Sequence, residues 1–312
     1  MLTQKYSEDF LKLYDKKGNK GQLIKNIIET EKESKVELLD WEDTEIAIAL
    51  EKSGSVSPNG LNSNMVVLRK LADFICKKEK LQTREYTMGH GTFLPLINMK
   101  HLLETTLNYD QYLIIRDQLD ITENGIKINI RDKVIFELAW EGLTNEEIKS
   151  IKEENIEFVR TENDWEIAII NLDNKIIRIE DPSVTEDIKL CLKELYCIRT
   201  GKDERRKQNF YKESEYLIKP VNVGRVSDKT YLDNPHLALQ RVLKVVEIVC
   251  EGINVEELTL ADIRRSKLIY LLAPENEDFF NFETVAAIYN LKRPEALRWY
   301  KKIAEEKYKS VK

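Results

Sequence analysis

The stretch from Arg131 to Ile156, R-D-K-V-I-F-E-L-A-W-E-G-L-T-N-E-E-I-K-S-I-K-E-E-N-I, decides how the rest of the chain is read. Val134, Ile135, Leu138 and Ala139 recur at helical spacing, which predicts a short helix with a buried face. Gly142 supplies a positive-φ position that ends this helix. Thr144 then serves as N-cap of a second helix, and Glu147, three residues on, completes a capping box. Ile148 and Ile151 point inward from it. The stretch is therefore two short helices broken at a glycine.

Outward from that stretch, 312 residues leave room for two domains. Hydrophobic content of 42% and charged content of 33% are ordinary for a soluble protein. No apolar run approaches the ~20 residues of a membrane span, and the N-terminus has no signal-peptide pattern. Cys76, Cys191, Cys197 and Cys250 form no C-x-x-C pair, so they read as reduced thiols of a cytoplasmic protein. Neither His90 nor His101 has the spaced partners that a metal site needs, and no Gly-rich nucleotide loop is present. No cofactor and no metal are expected. A net charge of −6 means that any contact to nucleic acid must come from local basic faces. One such excess runs from Lys292 to Lys312, with eight Lys/Arg against three Glu. A basic last helix is also what the helix dipole favours.

Residues 3–15, 20–34, 43–52 and about 60–78 read as four amphipathic helices in a domain spanning 1–82. The fourth has an apolar face of Leu61, Met65, Leu68, Ala72 and Ile75, and a second face of Asn62, Asn64, Arg69 and Lys70. That polar face fits solvated surface and a DNA contact equally well. Residues 83–106 lack a clean period, hold two glycines and a proline, and are assigned to a linker. A second domain, 107–312, opens with a helix through Leu119. The segments 156–159, 165–170 and 175–179 alternate or are β-rich, which predicts a three-stranded antiparallel meander with Lys175 at its last turn. As a bare turn residue, Lys175 is expected to be exposed. Residues 183–199 read as helix, and 200–231 as a polar segment without period, in which Arg225 and Lys229 interleave with aromatic residues. In D-N-P-H-L-A-L-Q-R-V-L-K, Asn234 and Pro235 start a helix with a buried stripe through Leu239. His236, Gln240 and Lys244, with Arg241 beside them, make a polar stripe. It suits major-groove readout, although on its own the pattern fits an ordinary amphipathic surface helix better. Around Ala286 and Asn290 the chain also reads as a helix-turn-helix followed by Lys292 and Arg293.

Four of these stretches together resemble the tyrosine recombinases, or phage integrases. That family reads roughly R-D-x-x-(apolar run)-T-G-L-R-x-S-E-(apolar)-x-x-L-x-x-x-D-I at the start of its catalytic domain. Gly142, Leu143, Glu147, Ile151 and Ile156 fall in register with it. E-L-T-L-A-D-I-R-R-S-K-L (257–268) resembles the family's L-T-P-H-x-L-R-R-(S/T), and the segments 57–74 and 285–300 are weaker matches. The resemblance implies a mainly α fold with a small β-meander (α+β), built as a two-domain clamp on double-stranded DNA. It also implies DNA contacts from Arg264 and Arg265.

The departures from the family pattern matter as much as the matches. The family holds the attacked phosphate with two arginines, a histidine, a lysine and a second histidine or tryptophan, and attacks with a tyrosine. Here Thr144 stands for the first arginine, Ala261 for the histidine and Leu291 for the other histidine. Arg264, Tyr300 and the nearest lysine, Lys175, remain. Losing one preorganised donor typically costs ~3 kcal/mol in the barrier, so three losses predict a protein without turnover. Within the family the likeness points to recombinase-like prophage lysogeny repressors. That implies phage operator elements as the DNA target and a protein or peptide antirepressor as a further partner. The competing readings are an active or accessory recombinase using Tyr300, and a protein-interaction module that no longer binds DNA.

Overall fold

The computed structural model describes residues 1–14, 20–55, 57–83, 96–120, 122–123, 126–127, 129–173, 175–200, 206–221, 235, 238–239, 243, 252–291 and 294–308. These group into two compact units, Met1–Leu102 and Leu103–Lys312.

The first unit contains α1 (Leu2–Tyr14), α2 (Gly21–Ser34), α3 (Asp43–Glu51) and α4 (Pro58–Glu79), as the apolar spacing predicted. Each buries one stripe. Phe10, Ile27, Trp41, Leu50, Leu61 and Leu68 are all sealed from solvent. Ser57 caps α4 by accepting from Gly60 N, with Pro58 as the first helical residue. One buried polar group joins distant segments. Glu31 accepts from Thr3 Oγ1 at 2.9 Å and from Leu38 N at 2.8 Å, so α1 and the turn after α2 are tied to one carboxylate. The segment assigned to a linker contains α5 (Met99–Glu104), and Leu102 on it is buried.

The second unit is built around α7 (Ile130–Trp140). Before it come α6 (Tyr109–Leu119) and the two-residue strands β1 (Thr122–Glu123) and β2 (Ile126–Lys127), which pair antiparallel. After it come α8 (Asn145–Ser150) and the meander β3 (Ile156–Arg160), β4 (Glu166–Leu172) and β5 (Lys175–Ile179), in the predicted order and antiparallel throughout. Then follow α9 (Pro182–Lys193), β6 (Tyr196–Thr200), β7 (Arg206–Phe210), α10 (Leu260–Leu271), α11 (Phe282–Ile288) and α12 (Leu297–Tyr308). Pro235, Ala238, Leu239 and Leu243 are helical, and the last three are fully buried.

Two expectations are corrected. The helix expected over 183–199 ends at Lys193, and the polar segment expected after it contains a strand. Tyr196–Thr200 pairs with Arg206–Phe210 in register Ile198↔Gln208. A two-stranded ribbon needs backbone pairing more than an apolar pattern, and its second strand, R-K-Q-N-F, has none. A side chain anchors it: the Asn129 amide donates to Ile198 O at 3.2 Å and accepts from Ile198 N at 3.0 Å. The other correction concerns α7. All eleven of its residues are buried, where the apolar spacing predicted one buried face. It packs against α6, α9 and α10, and its charged side chains are neutralised inside. Lys133 lies 2.8 Å from Asp187, Arg116 lies 3.3 Å from Glu137, and Arg131 bonds Asp132 and Lys219 O. Burial, with Asp187 close by, pushes the Glu137 carboxyl well above the ordinary range.

Candidate functional site

The positions that the family resemblance singles out meet at the end of α7. There Gly142 takes φ +93°, and Leu143 N donates back to Leu138 O at 3.1 Å in a Schellman-type stop. The positive φ is what requires the glycine. Its φ disfavours any side chain, whereas a Cβ would make only an ordinary contact with the Tyr289 ring, at 3.4 Å. The predicted capping box follows. Glu147 N donates to Thr144 Oγ1 at 3.3 Å and Thr144 N donates to Glu147 Oε2 at 2.7 Å. Ile148 and Ile151 are fully buried, as expected.

Lys175 departs from its expected exposure. Its side chain is 6% exposed, and the ammonium sits 2.9 Å from the other oxygen of Glu147. A turn residue beside a sheet has two neighbourhoods, and local spacing sees only the turn. Glu147 thus links three segments: one oxygen holds the Thr144 backbone and the other holds the first residue of β5. Burial raises its pKa, but bonds from Lys175 and Thr144 outweigh that and bring it below the ordinary carboxylate value.

Arg264, on the second turn of α10, is held against the same corner. Its Nε donates to Gly142 O at 2.7 Å, and its guanidinium lies 4.9 Å from the Tyr289 ring centroid. Tyr289 Oη donates back to Arg264 O at 3.1 Å. Burial pushes the Tyr289 phenol well up, with Arg264 opposing. Tyr289 was not singled out by the sequence. Its only sequence mark is its place beside the Asn290-Leu291 pair. Asn290 itself takes φ +50°, the left-handed position that glycine fills in the family pattern, and asparagine tolerates it. Leu291 N then donates to Ala286 O at 2.8 Å.

The remaining sequence-derived positions are less concentrated. Ala261 is exposed near the start of α10. Arg265 bonds Asp262 within the same helix. Tyr300 lies on α12 and is half-buried. On α4, Arg69 and Lys70 are exposed and Asn62 is half-buried. The Asn64 amide is occupied by the preceding loop, donating to Ser53 Oγ and Ser55 Oγ, each at 2.9 Å. Arg225, Lys229, His236, Gln240, Arg241, Lys244, Lys292 and Arg293 lie outside the described residues. Among the described residues no group of three or more His, Cys, Asp or Glu is arranged to hold a metal ion. None of the described helices is long and apolar enough to cross a membrane. Cys76, Cys191 and Cys197 are free and buried.

No family model matches the sequence, and no curated relative matches it. Solved structures do match the fold. A Tn1549 transposon integrase in complex with transposon right-end DNA aligns over 99% of both chains, with a TM-score of 0.54 at 9% identity. The same integrase in complex with circular-intermediate DNA gives 0.52 at 12% identity, over 96% of this chain and 94% of that one. The XerH site-specific recombinase bound to its palindromic difH substrate gives 0.51 at 15% identity, over 93% of this chain and 77% of that one. The chain therefore has the tyrosine-recombinase fold: mainly helical, with a small antiparallel meander.

Proposed function

We propose that this protein is a sequence-specific double-stranded DNA-binding repressor on a tyrosine-recombinase fold, without recombinase activity. The observation that carries the reading is the corner around Gly142. Where the resemblance places a phosphate-gripping arginine, Thr144 makes a capping box. Among the described residues, two family-matched cations at that corner have internal acceptors: Lys175 faces Glu147 and Arg264 Nε donates to Gly142 O. A transition state that develops charge on phosphate oxygens needs fixed donors aimed outward at it. Here Lys175 Nζ and Arg264 Nε are already engaged by acceptors of the fold.

DNA binding is supported by the fold neighbours, which include integrase and recombinase structures in complex with DNA. The exposed Arg69 and Lys70 on α4 are suited to phosphate contacts. His236, Gln240, Arg241 and Lys244 would read bases, with Arg225, Lys229, Arg265, Lys292 and Arg293 as further contacts. The sequence likeness to the master lysogeny repressor of SPbeta-group Bacillus prophages supports phage operator elements as the target. On the same likeness, relief comes from a protein or peptide antirepressor.

Two experiments test the reading. Crosslinking in prophage-carrying cells, followed by sequencing of bound DNA, should give many discrete sites sharing one short element near phage promoters. A single peak at the attachment junction would instead mark a recombinase. A nicked suicide substrate should trap no covalent adduct. An adduct lost in Tyr300→Phe would make Tyr300 a nucleophile and overturn the proposal. Arg241→Ala should weaken binding to the preferred site by ~1–3 kcal/mol, as the loss of a base contact does.

A further inference from the structure

Next to the Gly142 corner, the second unit contains a cavity of about 400 Å³ that neither the fold nor the proposed DNA contacts use. One wall is aromatic. Trp140 stacks on Tyr112 at 4.1 Å, Tyr109 stacks on Tyr270 at 5.2 Å, and Tyr109 is 38% exposed. Ile177, Leu271, Phe280 and Ile288 add further apolar lining. Three carboxylates reach the lining. Asp181 is bound by Arg116, and Glu180 by Arg178 at 3.2 Å. Glu141 faces the cavity with Lys267 at 3.7 Å.

The cation already there shows what the wall prefers. Lys267 Nζ lies 5.5 Å from the Trp140 ring centroid and 6.0 Å from that of Tyr270, in the range of cation–π attraction, with Glu141 as counter-ion. Its slim stem leaves most of the apolar volume unfilled. The Glu141 carboxylate, 3.7 Å from Lys267, is the anionic partner of this seat.

We infer that this cavity is a binding site for a small organic cation, a primary amine carried on a planar apolar body, which displaces the Lys267 ammonium from the Trp140–Glu141 seat. The amine takes the place over the ring faces and beside Glu141, and the apolar body fills the space between Tyr109 and Leu271. The displaced lysine swings to solvent, as its long stem allows.

The test is titration calorimetry on the full chain with phenethylamine and tryptamine, and with 3-phenylpropionate as the anionic counterpart. No DNA is present, so the outcome is independent of the DNA-binding proposal. The amines should bind saturably and the acid should not. Glu141→Gln should weaken amine binding at least tenfold. Lys267→Met should strengthen it about tenfold, because the internal competitor is gone. Tyr109→Leu, at the exposed edge of the wall, should weaken it severalfold and serves if either rim variant unfolds. The inference fails if no amine binds to the wild type or to Lys267→Met at millimolar concentration. It also fails if the acid binds and Lys267→Met abolishes that binding, which would make the cavity an anion site.

Discussion

Helices α4 and α7 handle charge in opposite ways. α4 runs for 22 residues, buries one stripe, and leaves Arg69, Lys70, Lys77 and Lys78 in water. α7 runs for 11 residues and has no solvent face at all, yet it carries Arg131, Asp132, Lys133 and Glu137. On α4 the charged side chains lie along the solvent side of the helix, where Glu79 binds Lys5 and Tyr6 of α1 and an exposed ion contributes little to folding. On α7 each charge is a structural part, since an ion left buried without its partner is strongly destabilising. The difference teaches that basic residues count toward DNA binding only after their internal partners are known. Arg264 is the instructive intermediate: it is half-buried, charged, and already bonded to Gly142 O.

The comparison breaks most visibly at Lys133. Lys133→Met leaves Asp187 buried without its 2.8 Å partner and should cost about 3–5 kcal/mol in urea unfolding. A loss under about 1 kcal/mol would mean that the α7 charges are not structural. Arg264→Ala should come next, at about 2–3 kcal/mol. It removes a charged hydrogen bond and a ring contact, and Arg264→Lys should recover only a part. An unchanged midpoint would return Arg264 to the DNA-contact set alone.

The N-terminal end of α7 adds a pH dependence. Glu194 accepts from Tyr211 Oη at 3.1 Å and Arg131 N at 3.4 Å, but burial dominates and pushes its pKa from 4.5 up to about 7. The folded state then holds this proton more tightly than the unfolded chain. Stability should fall as pH rises from about 4.5 through about 7. Glu194→Gln should flatten that slope, and an unaltered profile would show that Glu194 does not titrate in this window. Glu147 has the opposite sign. Its folded pKa lies below the ordinary value, so its contribution is present above pH 4.5 and lost as pH falls below it. Lys175→Met should reduce that acid-side loss. On α4, Lys70→Ala should change stability by less than about 0.5 kcal/mol, yet lower the salt dependence of DNA affinity by about one phosphate contact. A stability loss as large as that of Arg264→Ala would erase the contrast.

Much of this was legible in the chain. The four N-terminal helices, the Gly142 stop, the Thr144–Glu147 box and the three-stranded meander all rest on local chemistry: caps, a glycine φ and alternation. The misses were non-local. Lys175 looks like a turn residue until Glu147, 28 positions earlier, is placed beside it. Asn64 looks like a surface amide until the Ser53–Ser55 loop folds back onto it. The full burial of α7 depends on α6, α9 and α10 closing around it, which no single-helix pattern reports. Tyr289 carries no local mark at all, because its role is set by Gly142 and Arg264 across the fold.

A helix without a solvent face also bears on how such a chain can diverge. Every position of α7 is constrained by a neighbour, so substitutions there must come with compensating changes in α6, α9 or α10. Past its end, Gly142 is fixed by its φ and Leu143 by burial, whereas Thr144 is half-buried and caps the next helix, so its side chain is constrained by the cap rather than by the packing behind it. The innermost helix therefore fixes the packing of the second unit, while a bordering cap such as Thr144 can vary with little effect on it.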